Sequence, residues 1–345
     1  MVRQTDDSVK KCKVTFIIGN GFDLNLGLKT KYSNMYAGYI NEESATECIS
    51  AFKKTLEDQI PYENWGDFEL EMTKYAKHFP SETQLIECVR DFKRYMVNYL
   101  QEEANRFKDT LSKVTDKTAI NKELDKSFEE FYSGLVPNDA RIIKSIMEYK
   151  MIDVNIITFN YTDCLERLLT CKSPTFLLDV HSPVHIHGKL NEEVILGADS
   201  LWQLGNLPYT LTKKGKRAFL KPEFNEQYDK KRLNDTIETL YSSDIICTYG
   251  FAMGETDQMW VDIIIDWLMI SPSHHLVCFQ YDENEYHRYN YDEMMEAEDE
   301  KKQKLLKRFR KENEDLLNQI HIPIGYSIFN FEEITSKTKK TLLTV

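Results

Sequence analysis

A short apolar run, VTFII at residues 14–18, breaks into Gly19-Asn20-Gly21, and this stretch constrains the fold more than any other part of the chain. β-Branched residues bounded by glycine read as a buried strand. A glycine pair straight after such a strand lets the backbone turn sharply, which is where α/β proteins bring the chain close to a nucleotide phosphate or ribose. The next glycine is Gly27, whereas the dinucleotide fingerprint would put its third glycine at position 24, which is Leu24. The ordinary Rossmann motif is therefore not met, and a plain tight turn stands beside the nucleotide reading.

Strand-like segments recur at 154–159, 176–180, 184–187, 194–196, 245–249, 276–280 and 326–329. They are apolar runs separated by helical periodicity, which predicts an α/β fold with a Rossmann-like, mainly parallel sheet covered on both faces. Between the first two strands lie helical stretches at 32–40, 51–60, 64–70 (with Asp67 as its cap), 83–111, 128–131 and 142–147. The expected organisation is an α/β unit of residues 12–34 and 151–345, interrupted by a large helical insertion at 35–150. Residues 205–232, with Pro208, Pro222 and the basic cluster at 213–217, read as a long polar loop or lid. A helix follows through 260–269, and residues 283–319 read as a charged helix with one apolar side.

Bulk properties exclude several classes. The net charge is −12 and no basic block stands out, which argues against broad electrostatic binding of nucleic acid. The longest apolar run, at 260–270, is short and interrupted by Asp262 and Asp266, so no membrane span is expected. Residues 1–13 are polar and basic without a signal pattern, and a cytoplasmic location is expected. The seven cysteines form no Cys-x-x-Cys pair, which removes a zinc ribbon and a thioredoxin-type motif.

Ligands of open parallel sheets collect at the carboxyl ends of the strands. Those ends carry Gly19, Asn20, Gly21 and Asp23; Asn160, Tyr161, Thr162 and Asp163; His187 and Gly188; and Gly250, Glu255 and Asp257. Each has a plainer reading. Asn160 suits a turn, Asp23 and Asp257 suit helix caps, and Trp65 and Glu69 suit packing and capping. His185 and His187 would share one face of a strand, so that one could orient the other.

The motifs also carry a resemblance. Gly19-Asn20-Gly21-Phe22-Asp23 followed by Gly27-Leu28 is similar in spacing to the sirtuin glycine loop. Thr158-Phe159-Asn160-Tyr161 with Leu165-Glu166, the His187-Gly188 pair, and Tyr249-Gly250 through Asp257 match later sirtuin-like motifs in the same order. More closely, GNGFDLNLGLKTKY, the Trp65…Phe68-Glu69 segment, FNYTDCLE, HIHG and the late Gly…Asp motif resemble the AbiH family of phage abortive-infection proteins over about residues 14 to 260.

That resemblance implies a sirtuin-like, NAD-binding domain in an antiphage effector, acting as an NAD glycohydrolase that cleaves the nicotinamide–ribose bond. On this expectation Gly19 and Gly21 let the backbone approach the diphosphate or ribose, and Asn20 donates a hydrogen bond. Asp23, Gly27, Tyr161, Gly188, Gly250 and Asp257 complete the NAD site. Asn160 holds the ribose or a water, and His187 is the general base, because imidazole changes charge near neutral pH. NAD is the expected substrate or ligand, no metal is expected, and a phage-derived trigger and a homo-oligomer are the expected partners. Thr162, Asp23 and Phe251-Ala252 depart from the sirtuin pattern, and the missing zinc module removes protein deacylation. Two alternatives stand: a non-catalytic nucleotide sensor acting through a partner, and a metal-dependent nuclease built on Asp23, Asp163, His185 and His187.

Overall fold

The described residues form seven strands: β1 (Lys11–Ile18), β2 (Met151–Thr158), β3 (Leu178–Val180), β4 (Val184–His185), β5 (Ile245–Tyr249), β6 (His275–Phe279) and β7 (Ile320–His321). The computed structural model describes residues 10–59, 68–280, 290–309, 314–332 and 334. One sheet holds all seven strands in the order β3-β2-β1-β5-β6-β7, with β4 also beside β2, and every pairing is parallel. β1 is central, aligned with β2 from Lys11↔Met151 to Ile18↔Thr158 and with β5 from Val14↔Ile245 to Ile18↔Tyr249. The chain first builds outward through β2 and then crosses to β5, so the topological switch lies between β1 and β5.

Both faces of this sheet are covered, which is why its strands read as apolar runs. β5 and β6 are buried at every residue. Alternate side chains separate the two faces. Val14, Phe16, Ile18, Ile245, Cys247 and Val277 belong to one core, and Ile17, Ile246, Leu276 and Cys278 to the other. Helices Thr118–Glu129 and Pro137–Met147 close the first face, and helices Gln258–Ile270 and Tyr291–Arg308 close the second.

A third core lies within the helices that follow β1. Helices Tyr32–Asn41, Glu47–Gln59, Phe68–Tyr75 and the first half of Glu82–Ser112 pack together there, joined by Val194, Leu196, Phe219 and Leu220 from far downstream. Glu82–Ser112 starts where the Ser81 hydroxyl accepts from the Gln84 amide. It then serves two layers: Leu85 to Leu100 pack in the helical core, and Phe107 and Leu111 in the sheet core. Among the described residues, no helix is long and apolar enough to cross a membrane.

Three sequence expectations change. The strand expected at 326–329 is not one; Phe329 has φ +60°, and its ring plugs the core against Phe22 at 5.4 Å and Tyr249 at 5.2 Å. Residues 194–196 make no ladder, but Val194 and Leu196 are buried in the helical core. The loop or lid expected at 205–232 contains helices Lys213–Phe219 and Lys221–Tyr228 and the start of Lys230–Tyr241. Thr212 and Asp229 cap two of these helices and Pro222 lies in the first turn of the third, so residues that signal turns are here starting helices. Trp65 and Asp67 lie outside the described residues.

The glycine loop after β1 is docked on the loop after β5 by backbone alone. The Gly19 amide donates to the Tyr249 carbonyl at 2.9 Å and the Gly21 amide to the Gly250 carbonyl at 3.0 Å. A Cβ at Gly21 would fall 2.4 Å from the Gly250 Cα, and one at Gly19 would fall 2.5 Å from its carbonyl oxygen. Backbone cannot move aside as a flexible side chain can, so Gly21→Ala should cost at least about 1–3 kcal/mol. Chemical denaturation of the variant beside the parent checks this, and equal midpoints would show that the loops separate freely.

Candidate functional site

A cleft opens over the carboxyl ends of β1, β2 and β5, at the topological switch. The short helix Gly21–Asn25 after β1 carries Asp23, and the residues following β2 bring Phe159 to Thr162. His187 comes from the turn after β4, and Asp257 from the turn before helix Gln258–Ile270. The helical layer contributes Tyr32 and Glu69, and helix Lys221–Tyr228 contributes Lys221, its first residue.

Asp23 is buried at the floor. Its Oδ2 accepts from the Thr162 hydroxyl at 2.6 Å and its Oδ1 from the Asn160 side-chain amide at 3.1 Å. Burial penalises the carboxylate more than these two bonds favour it, and the pKa is raised to about 7. Asp23 is therefore a group of this cleft whose charge changes near neutrality.

Opposite it lies a buried ion cluster. The Lys221 ammonium is 2.5 Å from Glu69 Oε2 and 3.0 Å from Asp257 Oδ1, and it donates to the Thr256 carbonyl at 3.0 Å. Burial lowers the Lys221 pKa, but the Asp257 and Glu69 carboxylates outweigh it and hold the lysine charged. Glu69 also accepts from the Tyr32 hydroxyl at 3.3 Å, while the Tyr161 hydroxyl donates to the Ile195 carbonyl at 2.9 Å. Asp257 stands at the N-cap position of Gln258–Ile270 without making a cap bond. Asp199 takes over that role, accepting from the Met259 amide at 2.9 Å, so the Asp257 side chain faces the cleft.

His187 Nε2 lies 3.6 Å from Asp257 Oδ1, beyond a direct hydrogen bond. Burial first, and then the Lys221 and Arg232 charges, hold the His187 pKa well below its ordinary value. Asp257 does not offset this, because the same oxygen already faces the Lys221 ammonium. His187 is thus a neutral imidazole. The Phe159 ring meets it edge-on at 5.0 Å and stacks on Phe251 at 4.3 Å, making an aromatic wall.

His185 and His187 do not share a face. β4 ends at His185, whose ring nitrogens contact the Asn160 carbonyl at 2.7 Å and Glu166 at 2.6 Å. His187 turns into the cleft instead. Asp163 is held by Arg167 through bonds of 2.7 and 2.6 Å, so Asp163 and His185 are engaged in contacts of their own. Among the described residues, the metal-type grouping of Asp153, Asp179 and His181 includes none of the cleft's residues.

Of the residues singled out from sequence, Gly19, Asn20, Asp23, Asn160, Tyr161, His187, Gly250 and Asp257 line this cleft. Gly21 lines the adjoining cavity. Gly27, with φ +87°, ends the Gly21–Asn25 helix and is not among the residues lining either cavity. Gly188, with φ +79°, also lies outside, and a Cβ there would meet the Glu193 carbonyl. The Asn20 amide is spent on Thr30, donating to its carbonyl at 3.1 Å and accepting from its hydroxyl at 2.5 Å. Sequence reasoning missed Lys221, and it noted Thr162 at a strand end and as a departure from the sirtuin pattern without giving it a role. The available signal for Lys221 was a lysine held between Phe219-Leu220 and a helix-starting Pro222.

A family model described as "Bacteriophage abortive infection AbiH" matches residues 15–279, well over half of the chain. A search of curated proteins returned no match.

Proposed function

This chain belongs to the AbiH family of bacteriophage abortive infection, and from that premise we propose that its cleft binds NAD and hydrolyses the nicotinamide–ribose bond. The observation that carries this reading is the charge of the chamber. The Glu69 and Asp257 carboxylates share one ammonium, Lys221, and Asp23 lines the same cleft beside the Phe159–Phe251 wall. The nicotinamide ring of oxidised NAD is a cation, which an acidic, aromatic chamber favours.

Cleavage of the C–N bond releases nicotinamide as a neutral molecule, taking the bonding electron pair and leaving positive charge on the ribose. Carboxylates fixed beside that carbon stabilise the oxocarbenium-like transition state. A water oxygen then bonds to the same carbon and gives up a proton. Asp23 is the acceptor, ionised in a useful fraction near neutral pH and aligned by Asn160 and Thr162. Neutral His187 has a lone pair with which to orient that water or a ribose hydroxyl.

Purified protein given NAD, with and without a phage lysate, should release nicotinamide. His187→Ala should slow release by about 10²-fold or more. Protein that binds NAD under activating conditions yet releases none would remove the hydrolytic reading. A non-catalytic sensor is the second reading, favoured by the way Asp23, Asn160 and Thr162 satisfy one another. Thermal stabilisation by NAD without turnover would select it.

A further inference from the structure

A second cavity of about 700 Å³ adjoins the cleft, sharing Asn20, Tyr32 and the Gly250–Ala252 turn with it. It runs over the carboxyl ends of β1, β5 and β6, and its charge is of the opposite sign. Lys31, Lys304 and Arg308 line it, and none of the described residues lining it is acidic, in a chain whose net charge is −12. Lys304 makes an exposed pairing with Glu300 at 3.7 Å, and Arg308 reaches inward to the Ala252 carbonyl. Met253, Phe279 and Leu305 supply an apolar wall.

The glycine loop offers little to an anion here. The Gly19 and Gly21 amides are bonded to the Tyr249 and Gly250 carbonyls, and the Asn20 side chain to Thr30. An anion reaching this end of the cleft would be met by side chains. The joined cavities are thus polarised, acidic and aromatic at one end and basic at the other. An oxidised pyridine dinucleotide is polarised in the same sense, with a ring cation at one end and a diphosphate toward the other.

We propose that the second cavity is the diphosphate–adenosine subsite of the cleft, with Lys31, Lys304 and Arg308 supplying the charge that loop amides supply in a dinucleotide fold. The assignment rests on the nucleotide reading of the neighbouring cleft, but it is testable without cleavage, because ADP has no nicotinamide–ribose bond. The experiment is titration calorimetry of the full chain with ADP and with adenosine, repeated on the Lys304→Glu/Arg308→Glu variant. ADP should bind the parent at least 10-fold more tightly than adenosine does, and more weakly as salt is raised. The variant should lose ADP affinity by at least 10-fold while keeping a single cooperative melting transition, since both side chains are exposed.

No binding of ADP to the parent, equal binding of ADP and adenosine, or undiminished ADP binding by the variant would each overturn the subsite. NAD cleavage by the variant with an unchanged KM would do so too, while leaving the hydrolytic reading intact. ADP binding that depends on Lys304 and Arg308, in a protein that never releases nicotinamide, would uphold the subsite and remove hydrolysis.

Discussion

Lys221→Met should destabilise the protein by about 3–5 kcal/mol, the usual cost of removing one partner from a buried ion cluster. Lys221 is only 3% exposed, and its ammonium serves Glu69, Asp257 and the Thr256 carbonyl together. Methionine preserves most of the volume, so the loss is electrostatic rather than a cavity effect. Two features separate this from simple core damage. The deficit should shrink as the medium is acidified, because carboxylates left beside a methionine can take up protons. Adding Asp257→Asn should recover part of the stability, whereas unrelated damage would add. His187 gives a local readout. Lys221 helps to hold its pKa down, so removing that cation should shift the His187 titration upward in an NMR experiment. A variant as stable as the parent, with His187 unmoved, would show that the cluster is dispensable.

The same cluster shows where sequence reasoning stops. The central strand, its glycine loop and the parallel sheet were legible because burial on both faces leaves unbroken apolar runs. Apolar content does not reveal what the backbone does, however. Residues 326–329 look like a strand but plug the core with Phe329, while the actual edge strand is the two-residue pair Ile320–His321. Lys221 was hidden for a different reason. Thr212, Pro222 and Asp229 serve turns and helix starts equally well, and the tertiary fold alone decides between them. The Asp257 side chain was likewise ambiguous until Asp199 was seen capping the neighbouring helix. Asn160 and Asp23 were both noticed at strand ends, yet only the parallel pairing of β1 with β2 brings them within hydrogen-bond distance.

Asp23→Asn should lower the rate of NAD cleavage by about 10²–10⁴-fold, the range expected for loss of a general base. In the parent, the rate should rise with pH through about 7 as Asp23 ionises, and the variant should lack that limb. Stability should move the other way. The Asp23 pKa is raised on folding, so the folded state binds more protons than the unfolded one between about pH 4 and 7. The contribution of Asp23 is fully present at acidic pH and is lost as the pH rises through 7. An amide at this position has no charge to bury. It can accept from Asn160 and donate to the Thr162 hydroxyl, which can reverse its role. Relative to the parent, the variant should therefore gain on the order of a few kcal/mol between pH 4 and pH 8.5. Denaturant melts across that range measure the gain, and nicotinamide release measures the rate. A residue that only holds the loop together would show neither pattern. It would lose stability at both pH values and leave the pH–rate profile in place. A less active but more stable protein at alkaline pH would mark Asp23 as a group whose burial is retained for chemistry.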